Sequence, residues 1–123
     1  MSDKIKLYRV QDDKGKGPFK PGFSEKWVRP RLDQLKLKPW MAEFPDLIKS
    51  TYMTDKAIWV GSACINLKQL KRWFSKKEYK TLLKYGYGAY AIEVDMILAQ
   101  SAIQCVFAND KPTFIDAVPI KLY

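Results

Sequence analysis

The sequence predicts a compact single domain of the α+β class over residues 1–123, with a mainly antiparallel split sheet and a few short helices. Two observations predict this class. Short stretches rich in β-forming residues are spread along the chain, and a helical stretch from Asn66 to Lys84 separates them. The length of 123 residues and the hydrophobic content of 47% are typical of one domain with its own core.

Lys4 to Val10 predicts the first strand, with Ile5, Leu7 and Arg9 on one side. If Ile5 and Leu7 face the core, Arg9 points the same way, and an inward guanidinium needs an anionic or carbonyl partner. Two interpretations stay open: Arg9 reaches solvent at the strand end, or it contacts an anion or a ligand at the mouth of a cleft.

The next part of the chain is rich in structure-breaking residues. Gln11 to Gly22 contains glycines and prolines that predict a loop, and Gly15-Lys16-Gly17 lacks the ending of a phosphate-binding loop. From Phe23 to Asp55 the prolines limit any helix to a few residues. We expect short helices at Leu32–Leu37 and near Asp46.

A strand, a broken helix and a further strand follow. Ala57 to Cys64 predicts the second strand, and Asn66 is a typical N-cap for a helix that begins at Leu67. Ser75 with Glu78 has the spacing of a capping box, which predicts a second helix start. Gly86 and Gly88 end that helix, and Ala89 to Val94 predicts the third strand.

The C-terminal segment from Ser101 to Tyr123 predicts a hairpin. Ile103–Phe107 and Phe114–Val118 are strand patterns, and residues 109–112 contain turn formers between them. Asp95 to Gln100 predicts a short turn or a short helical segment before the hairpin.

Basic residues recur every four positions along the helical stretch, and the chain carries a net charge of +9. The candidate partner-binding residues are Lys68, Arg72, Lys76 and Lys80, beside Lys71, Lys77 and Lys84. Such a row is either a solvated helix face or a contact surface for phosphates or an acidic partner. Nucleic acid is one such partner, although no known nucleic-acid-binding motif is present.

Several functional classes are excluded or disfavoured by composition. The chain has no histidine, which excludes catalysis by Ser-His-Asp or Cys-His groups, and no metal-ligand spacing is present, so we predict no metal. Cys64 and Cys105 lie in apolar surroundings and are predicted to be buried thiols. Neither a membrane-spanning run nor a signal peptide is present, so we expect a cytoplasmic protein.

The order of these elements resembles the arginine-serine-glutamate class of ADP-ribosyltransferases and related phage-encoded proteins. Leu7-Tyr8-Arg9-Val10 resembles the arginine motif, and Val60-Gly61-Ser62-Ala63 falls at the position of the serine strand. Tyr90-Ala91-Ile92-Glu93-Val94 is similar to the next strand, and Ile103–Phe107 with Phe114–Asp116 is similar to the closing pair. The resemblance implies an ADP-ribosyltransferase-like fold.

The resemblance also implies site residues. Arg9 and Ser62 would contact NAD, and Gln104 stands where the family has its catalytic glutamate. An amide can bond ribose hydroxyls but cannot supply the negative charge that favours a developing cation. Glu93, Asp95 or Asp116 could supply the carboxylate from a neighbouring strand.

Three functional hypotheses follow from these observations. The favoured one is a small basic phage-type protein that binds an acidic host protein or nucleoprotein complex, for example to inhibit a host defence complex. In that case the cleft needs no cofactor. The alternatives are an NAD-dependent ADP-ribosyltransferase that acts on a host protein, and a non-specific nucleic-acid-binding protein. The residues are compatible with an enzyme as well as with a binding protein.

Overall fold

A computed structural model describes residues 4–19, 37, 39–49 and 57–123. Within these ranges the chain is α+β, with two small antiparallel sheets and short helices, as predicted. The described strands are β1 (Ile5–Gln11), β2 (Trp59–Ala63), β3 (Gly88–Val94), β4 (Met96–Gln100), β5 (Cys105–Asn109) and β6 (Val118–Pro119). The helices are α1 (Trp40–Glu43), a 3₁₀ helix (Pro45–Lys49), α2 (Leu67–Trp73) and α3 (Lys76–Lys84). The predicted helix at residues 32–37 lies, apart from Leu37, outside the described residues.

The first sheet has the strand order β1-β3-β6 and the second has the order β2-β5-β4. All pairs are antiparallel, and an irregularity between Ile97 and Ala99 shifts the register of β4 against β5. An isolated bridge joins the sheets, because the backbone groups of Tyr8 and Cys64 exchange two hydrogen bonds of 2.8 Å. This bridge holds β1 beside the end of β2, where Arg9 and Ser62 lie.

The two faces of the first sheet are buried against different parts of the molecule. Leu7, Ile92 and Val94 pack with Ala63, Cys105 and Phe107 of the second sheet. On the other face, Val10 and Ala89 belong to a cluster with residues of both longer helices, namely Leu70, Trp73, Tyr79 and Leu82. Because side chains alternate along a strand, Arg9 lies on the Leu7 side and points toward the second sheet.

Helix boundaries follow the predicted caps. The side chain of Asn66 accepts a hydrogen bond of 2.7 Å from the backbone N–H of Gln69 at the start of α2. At the start of α3, Ser75 and Glu78 form the predicted capping box. Trp73 ends α2, so the helical stretch is divided in two before Ser75. Cys64 and Cys105 are buried free thiols, as predicted.

The prediction of a C-terminal hairpin is wrong. β5 pairs with β2 and β4, whereas β6 crosses to the first sheet and pairs with β3. Residues 113–116 form a turn, and Asp116 adopts a φ of 62° there, which directs the chain away from β5.

The prediction of a turn or helical segment before the hairpin is also wrong, because Met96–Gln100 is strand β4. Its Met, Leu, Ala and Gln residues are good helix formers. Pairing along β5 overrides that local preference, as strand formation depends strongly on the neighbouring strand.

Candidate functional site

Arg9 on β1 makes three hydrogen bonds with its guanidinium. Nη1 donates to the carbonyl oxygen of Ser62 at 2.6 Å, Nη2 to the carbonyl oxygen of Gly15 at 3.2 Å, and Nε to Oε1 of Gln11 at 3.2 Å. The inward arginine therefore has the carbonyl partners that its strand position required. Three of its five N–H groups are used by residues that the structure describes.

No ion pair compensates the charge of Arg9 within the described part of the chain, where the ion pairs are those of Lys4 with Asp95 and Asp110. Burial lowers the pKa of Arg9 to about 10, and the charge of Asp12 partly opposes this effect. The guanidinium stays protonated at neutral pH. It is thus a desolvated cation held by neutral oxygens, an arrangement that favours an approaching anion.

Two glycines allow the chain to approach the guanidinium closely. A Cβ atom on Gly61 would lie 3.1 Å from the ring of Phe107 and 3.5 Å from Nη1 of Arg9. A Cβ atom on Gly17 would lie 3.4 Å from Nη2. The ring of Phe107 also lies below the cation, with its centroid 5.9 Å from Cζ of Arg9.

Polar groups beneath Arg9 fix the loop that follows β1. Gln11 is buried, and its Nε2 donates to the carbonyl oxygen of Thr113 at 3.0 Å. Oγ1 of Thr113 donates to the carbonyl oxygen of Gly15 at 3.1 Å, and the same oxygen accepts the bond from Nη2 of Arg9. At the base of the loop, Oδ1 of Asp12 accepts from the backbone N–H groups of Lys14 and Lys16, both at 2.9 Å. These bonds hold the acceptors of Arg9 in place.

A cavity of about 430 Å³ lies beside Arg9. Arg9, Ser62 and Gln104, the predicted site residues from three distant segments of the chain, all line it. Most of the other lining residues are apolar, and the large ones are Phe19, Leu37, Trp40, Met41, Leu70, Trp73 and Phe74. Phe19 contacts the aromatic wall, with ring centroids 5.7 Å from those of both Trp73 and Phe74.

Gln104 is buried beside a carboxylate that sequence reasoning missed. Its Nε2 donates to Oε1 of Glu43 at 2.9 Å, and Oγ of Ser101 donates to the same oxygen at 2.9 Å. Glu43 is the last residue of α1, a short helix bounded by Pro39 and Pro45. No periodic pattern links this segment to Gln104, so the sequence held no signal for the contact.

The predicted substitutes for a catalytic glutamate, Glu93, Asp95 and Asp116, lie elsewhere. Glu93 is exposed on β3, opposite Lys6 in the register. Asp95 pairs with Lys4, which lowers the pKa of Asp95, and Asp116 is exposed. None of the three is among the described residues that line the cavity.

A second candidate site is the outer surface of α2 and α3. We define the basic helical surface as the side chains of Lys68, Lys71, Arg72, Lys76, Lys77, Lys80 and Lys84, all of which are exposed. Glu78 is the one acidic residue of α2 and α3, and it is buried in the capping box. The exposed charges of these two helices are therefore all positive.

The opposite face of the helices explains why the basic residues face solvent. Glu78, Tyr79 and Leu82 are the buried residues of α3, and their spacing places them on one face. In α2 the buried residues are Gln69, Leu70 and Trp73. None of the described helices is long and apolar enough to cross a membrane.

Comparison with known proteins identifies a matching family. A family model described as "Bacteriophage T4 Y00F protein" matches residues 1–121, which is nearly the whole chain. No curated protein and no solved structure matches the chain.

Proposed function

The chain belongs to the Bacteriophage T4 Y00F protein family, which supports a phage origin. We propose that it binds an acidic host protein or nucleoprotein complex through the basic helical surface. The observation that carries the proposal is the charge of α2 and α3. Their seven basic side chains are exposed, and their one acidic side chain is buried. Surface charges of one sign steer an oppositely charged partner toward the surface and raise the rate of association.

Two exposed side chains at the end of α3 add apolar contact area to this surface. Leu83 is 51% exposed and Tyr85 is 50% exposed. Leu83 follows Lys76 by seven positions and Lys80 by three, so the three residues share one face of the helix. A partner that fits this surface presents carboxylates around an apolar pocket, the usual arrangement of binding hot spots.

The aromatic residues near Lys84 support a protein partner rather than single-stranded nucleic acid. Stacking needs several aromatic rings that are accessible on one surface. Tyr87 is buried and Tyr90 is half-buried, which leaves Tyr85 as the exposed ring of this group. The basic helical surface requires a partner with an acidic surface, and the proposal includes a host defence complex with such a surface as the target.

Capture from bacterial lysate tests this proposal. The immobilised protein is exposed to lysate with and without nuclease treatment, between about 50 and about 500 mM salt. Retained proteins are identified by mass spectrometry, and retained nucleic acid by gel electrophoresis. We expect retention of acidic proteins that falls steeply with salt. Retention that survives the highest salt contradicts the proposal, and retention of nucleic acid without any protein supports the nucleic-acid alternative instead.

A pair of triple variants tests whether the capture depends on the basic helical surface. K68E/R72E/K76E reverses charge on the helices, and K14E/K16E/K111E reverses three exposed lysines in the loop after β1 and the turn after β5. Each reversal changes the charge by two, so both variants fall from +9 to +3. The first variant loses the partner and the second keeps it; equal loss in both would show that only net charge matters and would contradict the proposal.

The cavity supports a second candidate function, NAD-dependent transfer of ADP-ribose to a host protein on an ADP-ribosyltransferase-like scaffold. The observation that favours it is that Arg9, Ser62 and Gln104 line one cavity. In this candidate Arg9 binds a phosphate, and Glu43, which is not a lining residue but is bonded to the lining residue Gln104, supplies the carboxylate instead of Glu93. The ribose–nicotinamide bond breaks, nicotinamide leaves, and a side chain of the host protein forms the new bond.

Mass spectrometry of lysate proteins incubated with the chain and NAD tests the second candidate. The expected result is an NAD-dependent mass addition that Glu43→Gln and Arg9→Ala variants lose while they remain folded by circular dichroism. Absence of any modified protein with the wild type contradicts it.

A further inference from the structure

The cavity beside Arg9 joins a strongly apolar wall to a cation without an ion-pair partner among the described residues. Phe19, Trp40, Trp73 and Phe74 supply aromatic surface, and Leu37, Met41 and Leu70 supply aliphatic surface. From this combination we infer that the cavity binds a small aromatic carboxylic acid, with its carboxylate on the guanidinium of Arg9 and its ring between the aromatic side chains.

The guanidinium can receive a carboxylate in addition to its present acceptors. Its bonds to Ser62, Gly15 and Gln11 use one N–H on each nitrogen, which leaves one N–H on Nη1 and one on Nη2 without an acceptor among the described residues. Arginine binds carboxylates well through paired N–H groups, and the bonds are strengthened by charge. The existing bonds fix the side chain, so little conformational entropy is lost when a ligand binds.

The size and lining of the cavity favour an apolar body for the ligand. A volume of about 430 Å³ lies within the range of pockets that hold small molecules. The side chains of Arg9 and Gln104 are the large polar side chains of the lining, and Nε2 of Gln104 already donates to Glu43. A sugar or a nucleotide would bury several hydroxyl groups against apolar walls, which costs free energy, whereas an aromatic ring would not.

Binding of matched probes tests this inference, which is independent of the basic helical surface and is an alternative to NAD binding in the same cavity. The probes are 2-naphthoate, its neutral analogue 2-naphthamide, and AMP, each titrated against the full chain by calorimetry. We expect 2-naphthoate to bind at least about tenfold more tightly than 2-naphthamide, because only the acid pairs with Arg9. Equal binding of acid and amide, or no binding of 2-naphthoate, overturns the inference. Tighter binding of AMP than of 2-naphthoate also overturns it and favours a nucleotide.

The indole N–H signals of the tryptophans locate the bound probe. Trp40 and Trp73 line the cavity, whereas Trp59 is 49% exposed and is not among the lining residues. In a two-dimensional NMR titration with 2-naphthoate, the signals of Trp40 and Trp73 shift and that of Trp59 stays. A shift of Trp59 alone places the probe elsewhere and contradicts the inference.

Two variants test the roles of the residues. Arg9→Lys keeps the charge but loses the paired N–H groups, and we expect about tenfold weaker binding of 2-naphthoate. Because Arg9 also holds three acceptors, a second variant, Phe19→Ala, keeps the test decisive if Arg9→Lys fails to fold. Phe19 is 42% exposed, so its removal takes away part of the wall at little cost to folding. Phe114→Ala is the control, since Phe114 is 48% exposed and is not a lining residue; equal affinities for the Phe19 and Phe114 variants overturn the inference.

Discussion

Gly15 and Gly86 both have a positive φ, +80° and +87°, but their surroundings differ. A Cβ atom on Gly15 would lie 2.6 Å from Oγ1 of Thr113 and 3.2 Å from the backbone nitrogen of Phe114. A Cβ atom on Gly86 would meet nothing within 4 Å. The two positions therefore separate the cost of the backbone conformation from the cost of a steric clash.

Alanine at each position gives a prediction at the residue scale. Gly86→Ala should lower the free energy of unfolding by about 1 kcal/mol, because only the left-handed conformation is strained. Gly15→Ala should lower it further, since the methyl group also displaces Thr113 and the oxygen that accepts from Arg9. Urea unfolding of both variants measures the difference. A smaller loss for Gly15→Ala than for Gly86→Ala would contradict the described packing of the loop.

The hydroxyl of Tyr79 connects α3 to the first sheet by accepting a buried hydrogen bond of 2.9 Å from the backbone N–H of Ala89. Tyr79→Phe removes this acceptor, and we expect a loss of about 1–3 kcal/mol in the free energy of unfolding. The amide of Ala89 should exchange with solvent faster. Tyr90→Phe is the control, because the hydroxyl of Tyr90 has no hydrogen bond to any residue that the structure describes. Equal losses in the two variants would contradict the assigned role of Tyr79.

At the scale of elements, the start of α3 depends on its capping box. Ser75→Ala removes the acceptor of the Glu78 backbone N–H and should cost about 1 kcal/mol of stability, measured by urea unfolding. Thr81→Ala is the matched control within the same helix, where alanine has a higher helix propensity. A stability loss for Thr81→Ala that equals the loss for Ser75→Ala would show that the cap contributes nothing.

Elements whose signals are local were predictable from the sequence. The N-caps at Asn66 and Ser75 and the alternation in β1 depend on neighbouring residues, and the structure has each of them. The inward direction of Arg9 followed from the same alternation.

Elements whose partners are distant in sequence were not predictable. The pairing of β4 with β5 and of β6 with β3 depends on tertiary packing. The residues of the turns that connect these strands do not encode that packing. The same reason applies to the site. Arg9, Ser62 and Gln104 were selected through a family resemblance, whereas the contact of Glu43 with Gln104 joins segments that share no pattern.

At the scale of the whole molecule, the two thiols report on global unfolding. Burial raises the pKa of Cys64 to about 12 and that of Cys105 to about 11, so both thiols are protonated at neutral pH. Because the thiolate is the reactive form, we expect almost no reaction with a thiol reagent such as DTNB in the folded state and rapid reaction in urea. The reaction rate should follow the unfolding curve measured by circular dichroism. Fast reaction of the folded protein would contradict the burial of both cysteines between the sheets and helices.

The distribution of charge over the molecule leads to the central claim, that the basic helical surface binds an acidic host partner. Lys68 and Lys76 lie in the first turns of α2 and α3, where a negative side chain is favourable to the helix, so their reversal should preserve the fold. Arg72 lies in the last turn of α2, where a negative side chain is unfavourable, so the circular dichroism spectrum and urea unfolding of K68E/R72E/K76E must match those of the wild type before a lost partner is assigned to binding.

The most direct test is the dissociation constant of a captured acidic partner for the wild type, for K68E/R72E/K76E and for K14E/K16E/K111E at one salt concentration, measured by calorimetry. The claim predicts at least about a hundredfold loss of affinity for the helix variant, since three charged contacts are reversed, and at most a few-fold loss for the control. Equal affinities of the helix variant and the control would contradict it.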